Sequence, residues 1–148
     1  MAMTSGAERR VEHLDPNLCW ARLAEAQVGR LAFAARDRIA IMPLNYVVRG
    51  RRLMFRTTTG AEFLREQRLP VSFEIDGEDK GSAWSVIARG ALQRTSDPKA
   101  VALETARGLP PWAPQERAPR TTLVELVVHE VTGRTFRRRQ WQGPRWYW

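Results

Sequence analysis

The chain has 148 residues, of which 24 are basic and 16 acidic, so its formal net charge at pH 7 is +8. This length fits one domain with its own core and leaves little room for a second. Cys19 is the single cysteine, which excludes an intramolecular disulfide and predicts a reducing compartment, the cytoplasm. No apolar run approaches the ~18 residues of a membrane span, and the N-terminus lacks the apolar segment of a secretory signal.

The positive charge indicates an anionic partner, such as a phosphate-bearing cofactor or a nucleic acid. Of the 24 basic residues, 22 are Arg, and only Lys80 and Lys99 are Lys. A codon bias that replaces surface Lys by Arg explains the same composition equally well. Charge alone therefore does not identify the partner.

The first predicted element is a helix over residues 17–26, after a flexible segment at residues 1–14. Asp15 and Pro16 supply an N-cap and a first helical position. Beyond them, apolar residues recur at helical spacing, with Cys19 among them. The helix is therefore expected to lay one apolar face on a sheet.

Strands are predicted wherever apolar and polar residues alternate, over 30–35, 39–48, 51–57, 71–76, 83–95 and 123–131. Pro43 interrupts the second of these strands. Because proline donates no ladder hydrogen bond, it marks a sheet edge or a bulge and leaves neighbouring backbone groups free. Gly90 is a predicted bulge in the fifth strand.

Short elements connect these strands. They comprise a turn at residues 49–51, a helix over 61–66, a charged turn over 77–82, a helix from Asp97 to Arg107 and a proline-rich loop over 108–119 around Trp112. Strands dominate and no βαβ alternation is present. The pattern predicts a mainly β fold, an antiparallel barrel with peripheral helices.

A candidate phosphate site follows the third strand, where Arg56, Thr57, Thr58 and Thr59 precede Gly60. Hydroxyls and backbone N–H groups donate hydrogen bonds, and a guanidinium binds phosphate as a fork. A following helix favours the negative charge. The alternative is that Thr59 only caps that helix and the other threonines are ordinary strand residues.

Motifs for catalysis by the chain itself are missing: there is no CxxC, HExxH, GxSxG or Walker loop. His13 lies in the N-terminal segment, and His129 reads as a partly exposed strand residue. Cys19 is expected to be a buried packing residue rather than a nucleophile. If the protein is an enzyme, its reactive chemistry is expected to come from a cofactor.

Seven short segments, in their order and spacing, resemble the pyridoxamine 5′-phosphate oxidase-like family, and most closely its small single-domain branch with nitroimidazole-resistance-like members. They are GRLAF (29–33), PLNY (43–46), FRTTTG (55–60), VSFEID (71–76), WSVIARG (84–90), PPWAP (110–114) and VTGRTF (131–136). The resemblance spans residues 18–136. It implies an antiparallel Greek-key split β-barrel, a homodimer, and FMN at the dimer interface.

Carried over by position, the resemblance implies three groups of cofactor contacts. Pro43, Leu44, Asn45 and Tyr46 would lie along the flavin ring; Arg56, Thr57, Thr58 and Thr59 would hold its phosphate; and Trp84 and Ser85 would approach from the same or the partner subunit. The chain then divides into a flexible N-terminus (1–14), a flavin-binding domain (15–136) and a basic aromatic tail (137–148).

One position departs from the family, which commonly has a Lys two residues after the glycine of the phosphate loop. This chain has Glu62 there. An anion beside a phosphate of charge near −2 weakens binding, although solvent exposure or Arg65 on the next turn could reduce the effect. FMN, a deazaflavin or another flavin, and no cofactor all stay open.

The C-terminal residues 133–148 hold five arginines, no acidic residue and four aromatics after Gln140. Arginines interleaved with aromatics suit single-stranded nucleic acid, through charge along the backbone and stacking on bases. The same composition suits a segment that folds over the partner subunit and covers a flavin. A mobile solvated tail is the third interpretation.

Two functions follow from the sequence. The first is a homodimeric, FMN-dependent oxidoreductase that acts on a small molecule with an unidentified electron donor, without a convincing catalytic acid or base of its own. The second is a non-catalytic module on the same barrel that binds a ligand or, through its tail, nucleic acid.

Overall fold

A computed structural model describes residues 11–58, 62–95, 97, 99 and 121–137. Its elements are β1 (Glu12–His13), α1 (Pro16–Glu25), β2 (Val28–Ala35), β3 (Arg38–Asn45), β4 (Val47–Arg49), β5 (Arg52–Thr58), a 3-10 turn (Glu62–Leu64), β6 (Leu69–Asp79), β7 (Ser82–Arg94) and β8 (Thr121–Arg137). The predicted helix from Asp97 to Arg107 falls almost wholly outside the described residues. So do the loop over 108–119 and residues 138–148 of the tail.

The strands form one antiparallel sheet in the order β3-β2-β6-β7-β8-β5-β4, with β1 added to β8. The strands at the two ends of this order, β3 and β4, follow each other in the chain, separated by Tyr46 alone. The sheet must therefore curl until its edges meet, and Cα atoms of β3 and β5 approach within 8 Å. The fold is the split β-barrel, as the sequence predicted.

The core fills the inside of the curled sheet. Its largest fully buried side chains are Phe55, Phe73, Leu23, Leu31, Leu53, Ile75, Leu92, Leu126, Val86, Val124 and Cys19. Phe63 of the 3-10 turn meets the ring of Phe33 edge-on, with centroids 5.3 Å apart. The apolar faces of all the central strands thus converge on one barrel interior, where apolar burial stabilises the fold.

Helix α1 forms where the sequence predicted it. The Asp15 carboxylate accepts a hydrogen bond of 2.8 Å from the backbone N–H of Asn17, and Pro16 occupies the first turn. The helix ends at Ala26, whose N–H donates to the carbonyl oxygen of Arg22. Its contacts with β8, β4 and β7 lay its apolar face over the barrel.

The predicted second strand is broken at Tyr46 rather than at Pro43. Pro43 pairs with Arg30 inside β3, and β3 is the edge of the sheet. Of the two meanings of a strand proline, the edge is therefore correct and the bulge is wrong. Tyr46 is the break because the chain crosses there from one edge of the curled sheet to the other.

Three other boundaries differ from the sequence analysis. The charged segment 77–82 is mostly strand, because β6 continues to Asp79 and only Lys80 and Gly81 make the turn. The predicted helix over 61–66 is a single 3-10 turn. Strand β8 runs to Arg137, so the first residues of the predicted tail belong to the sheet.

The predicted flexible N-terminus is also partly wrong. Glu12 and His13 form β1 and pair with Thr135 and Arg134 at the end of β8. The bulge prediction is confirmed, since the β7–β8 register shifts at Gly90. A Cβ atom at that position would collide with the carbonyl oxygen of Val127. Within the described ranges, no helix has the length and apolarity to cross a membrane.

Candidate functional site

The edge strand β3 and the end of β5 bring two of the three predicted contact groups together. Val47 pairs with Met54, and continuing that register directs Asn45 toward Arg56. Among the residues that the structure describes, β3 pairs with β2 alone, so half of its backbone groups face the β5 side, where a ligand could meet them. One chain thus places the predicted ring-binding strand, Pro43 to Tyr46, beside the predicted phosphate residues that begin at Arg56. We refer to this meeting of β3 and β5 as the β3–β5 corner, or phosphate corner.

Strand alternation sorts the predicted side chains into two faces of the sheet. Pro43, Asn45 and Arg56 lie on the outer face, where Pro43 is exposed and the other two are half-buried. Leu44 and Tyr46 point into the core instead. An outer-face ligand can therefore reach the first three side chains, but Leu44 and Tyr46 only through their backbones.

Tyr46 has a structural role. Its side chain is 3% exposed, its ring meets Phe73 edge-on with centroids 4.8 Å apart, and its hydroxyl donates to the Leu23 carbonyl at 2.6 Å. Its backbone N–H donates to the Gln27 carbonyl. The side chain of Tyr46 therefore belongs to the core, and only its backbone could lie along a flavin ring. Burial raises the pKa of its phenol far above the ordinary value.

Trp84 belongs to the next predicted group and faces inward. Like that of Tyr46, its side chain packs against other residues of the chain. The Arg22 guanidinium lies over its indole at 4.7 Å from the centroid, and on the other side the ring leaves no room for a Cβ at Gly77. Its indole N–H is buried without a hydrogen-bond partner within the part of the chain that the structure describes. Ser85, the next residue, faces outward.

Within one chain, Ser85 lies on the same outer face as Asn45, three strands away. Ser85 pairs with Asp76, the β2–β6 register continued by two residues sets Asp76 opposite Val28, and Val28 pairs with Asn45. With ~4.8 Å between neighbouring strands, this separation is about 14 Å. The third group could therefore approach a ligand at the corner from the same subunit or from the partner.

The structure describes only some of the threonines in the predicted phosphate-binding group. Thr57 faces inward, is half-buried and pairs with Thr122. Thr58 ends β5 and pairs with Thr121. Thr59 lies outside the described residues. The short 3-10 turn that follows cannot supply the helix dipole that the sequence analysis invoked, because that effect needs several aligned turns.

A buried carboxylate on the outer face escaped the sequence analysis. Glu125 is 5% exposed, accepts a hydrogen bond of 2.6 Å from Gln93, and lies with both oxygens 3.0 Å from one nitrogen of Arg52. Met54 and Leu123 form a small apolar cluster on the same face. The only sequence signal was a Glu inside an apolar strand. Its partners satisfy the charge, which indicates a structural role.

A recess at one end of the barrel also escaped the sequence analysis. It measures about 130 Å³ and lies between the β2–β3 turn and the segment after the 3-10 turn. Its polar lining consists of Arg36, Arg65 and Glu66, and its apolar lining includes Phe33 and Phe63. The residues come from two sequence regions 30 positions apart, so no local pattern predicts the recess.

The remaining chemical candidates have ordinary surroundings. Cys19 is fully buried, and burial, with a smaller contribution from Asp15, raises the pKa of its thiol. A raised thiol pKa suits a packing residue rather than a nucleophile. His129 is exposed on β8. Across the described ranges, no three His, Cys, Asp or Glu side chains gather as metal ligands.

The curled sheet, its free edge β3 and the helix laid across it define a split-barrel protein. The model of the family described as pyridoxamine 5′-phosphate oxidase matches residues 15–135. The chain therefore belongs to the pyridoxamine 5′-phosphate oxidase family, as the resemblance of the seven segments indicated.

Related proteins support this assignment. The uncharacterized protein Rv0080 of Mycobacterium tuberculosis is 31% identical over 133 residues, which cover 84% of this chain and 85% of that protein. The structure of an FAD-binding protein from Mycobacterium smegmatis is 32% identical, with a TM-score of 0.67 over 84% of this chain and 97% of that one. A conserved protein of unknown function from Corynebacterium diphtheriae is also 32% identical, with a TM-score of 0.70 over 85% and 98%.

Proposed function

We propose that this protein binds a flavin at the β3–β5 corner as a homodimer and uses it to transfer electrons to or from a small molecule. The observation that carries the proposal is the meeting of the free edge of β3 with Arg56 on the outer face of β5. A flat ring with many amide-like groups matches a free strand edge, and a phosphate matches the guanidinium.

The residues at this corner fit the FMN part of a flavin in their chemistry. Arg56 would bind the phosphate as a charge-assisted fork. Asn45 and the backbone groups on the β5 side of β3 would bind the polar edge of the ring, and Pro43 would lie against its face. The FAD-binding relative from M. smegmatis supports a flavin and leaves open whether a second phosphate is present.

The bound flavin would supply the hydride or electron transfer, which no side chain of this chain can perform. The contribution of the chain is to hold the ring, to orient it and to exclude water from one of its faces. Neither His13 nor His129 is near Arg56, because Arg56 pairs with Leu123, six residues before His129 on β8, and His13 pairs with Arg134 toward the far end of that strand. A protein proton donor is therefore not part of the proposal.

A second copy is proposed because the outer face of β3, beside the corner, carries Ile39 and Ile41, which are 76% and 69% exposed. Neighbouring apolar side chains left in water mark interaction surfaces. A dimer seated on this face would cover both isoleucines and bring partner residues to the ring.

A visible spectrum tests the proposal directly. Purified protein mixed with FMN or FAD and then desalted should keep absorbance near ~450 nm, which a nicotinamide cofactor or a chemical reductant should bleach. A protein that stays colourless after both additions would contradict flavin binding. If that protein instead retained RNA or DNA with a steep salt dependence, a nucleic-acid-binding function would replace it.

A further inference from the structure

We infer that the recess formed by Arg36, Arg65, Glu66, Phe33 and Phe63 binds the second phosphate and ribose of FAD, so that the protein selects FAD over FMN. The inference rests on the proposed function, because it extends the same ligand beyond its first phosphate. It goes further in naming the cofactor and the residues that discriminate. These residues lie outside all three groups of predicted contacts.

The position of the recess is the first argument. Strand β5 ends at Thr58, in the phosphate corner, and the chain then reaches the 3-10 turn whose Phe63 lines the recess. On the other side, β3 begins at Arg38, directly after the β2–β3 turn that carries Arg36. The recess therefore lies beside the Arg38 end of β3, the end opposite Asn45, and a few residues beyond Thr58 along the chain.

The charges of the recess are the second argument. Two guanidiniums and one carboxylate line it, so its net charge is positive. Guanidiniums bind phosphate oxygens as forks, with charge-assisted hydrogen bonds. The Glu66 carboxylate does not favour a phosphate, but it accepts hydrogen bonds from hydroxyl groups. Two cations beside one acceptor thus match a phosphate that carries a sugar better than an isolated phosphate.

The shape and lining of the recess are the third argument. Phe33 and Phe63 are 6% and 4% exposed, so their rings form a fixed apolar floor. This floor offers no hydrogen bonds that could replace the water around an ion. At about 130 Å³ the recess has room for part of a dinucleotide. The adenine would lie at its mouth, against the exposed turns.

The backbone at Arg36 is set by its turn. Arg36 has a φ of +52°, a left-handed conformation that residues other than glycine rarely adopt. The two-residue turn between Ala35 and Arg38 requires it, so this conformation places the guanidinium on the turn and does not by itself mark a ligand site.

The test compares FAD and FMN affinities by titration of the purified full chain, with flavin fluorescence or calorimetry as readout. Wild-type protein should bind FAD at least ~10-fold more tightly than FMN. Arg36→Gln and Arg65→Gln should each weaken FAD binding about 10- to 100-fold, the scale of a lost charge-assisted contact. FMN affinity should stay within about twofold, because FMN does not reach the recess.

Two controls separate this role from a structural one. Arg89→Gln removes an exposed guanidinium from the outer face of β7 and should leave both affinities unchanged. Arg36→Gly relieves the left-handed backbone, so the thermal midpoint should not fall by more than a few degrees while the preference for FAD is lost. Lys80→Gly relieves a φ of +45° in the β6–β7 turn and should preserve that preference.

The outcomes distinguish the two proposals. Equal wild-type affinities for FMN and FAD, or recess variants that keep the preference for FAD, would overturn the recess and leave the flavin site intact. Parallel losses of FMN and FAD affinity in the recess variants would also overturn it, by assigning both arginines to the first phosphate. A protein that binds neither flavin would overturn both proposals.

Discussion

The Tyr46 hydroxyl donates a hydrogen bond of 2.6 Å to the carbonyl oxygen of Leu23. Leu23 lies in the last turn of α1, where backbone carbonyls have no partner within the helix. Tyr46 is also the residue at which the chain crosses between the two edges of the sheet. One hydrogen bond therefore fastens the helix to the place where the barrel closes.

Replacing Tyr46 by Phe should lower the free energy of unfolding by about 1–2 kcal/mol, because it removes that bond and leaves a carbonyl oxygen without its donor. The ring and its contact with Phe73 remain. Flavin affinity should stay within about twofold, since the hydroxyl points away from the corner. Urea denaturation and a flavin titration measure the two effects. A large loss of affinity with unchanged stability would place the phenol in the site after all.

Alkaline pH should destabilise the protein in part through the same residue. Burial raises the pKa of Tyr46 in the folded state, so folding favours the neutral phenol. This contribution is complete below the unfolded pKa of about 10 and is lost as the pH rises through the folded pKa. Above about pH 10, the stability of Tyr46→Phe should decline less steeply than that of wild type. Equal slopes would show that the phenol does not couple to folding.

Replacing Arg56 by Ala should weaken FMN binding about 10- to 100-fold, the equivalent of ~1.5–3 kcal/mol for a charge-assisted contact. The same change at Arg89, also on the outer face but two strands away, should have no effect and serves as the control. Fluorescence titration at fixed ionic strength measures both. An unchanged affinity for Arg56→Ala would remove this residue from the phosphate corner.

Replacing Glu62 by Lys should tighten flavin binding several-fold, because it restores the cation that the family commonly has two residues after the glycine of the phosphate loop. The gain should shrink at high salt if the position is exposed to solvent. Glu62→Gln, which removes the charge without reversing it, should fall between the two. Weaker binding by Glu62→Lys would mean that the carboxylate has a function of its own.

Local signals predicted most of the fold. Asp15 and Pro16 fixed the start of α1, and strand alternation located all the long strands. Tyr46 could not be assigned from local signals, because an aromatic residue in an apolar run suits a core and a ligand surface equally well. Only the curl of the sheet, which is a long-range property, turned its ring inward. The same holds for the ring of Trp84, which packs against the core.

The corner could be proposed from local sequence, whereas the recess could not. Arg56 and its threonines are adjacent in sequence, so their shared chemistry could be read directly. Arg36 and Arg65 become neighbours only when the β2–β3 turn meets the segment after the 3-10 turn. Helical propensity over 61–66 suggested a longer helix, but Phe63 packs between Phe33 and Phe55. Packing at the barrel end therefore overrides local preference there.

The proposed dimer is tested by placing charge on the outer face of β3. Wild-type protein should scatter light as a particle of about twice its 17.0 kDa chain mass at micromolar concentration. Ile41→Lys should shift the mass toward the monomer, because a buried, unpaired charge opposes association. It should weaken flavin binding as well, since the proposed site lies beside the face that the partner would cover. Leu18→Lys is the matched control, because Leu18 is 43% exposed and lies on α1 rather than on β3. A wild-type mass of one chain, or an Ile41→Lys dimer that binds flavin normally, would remove the outer face of β3 from the interface.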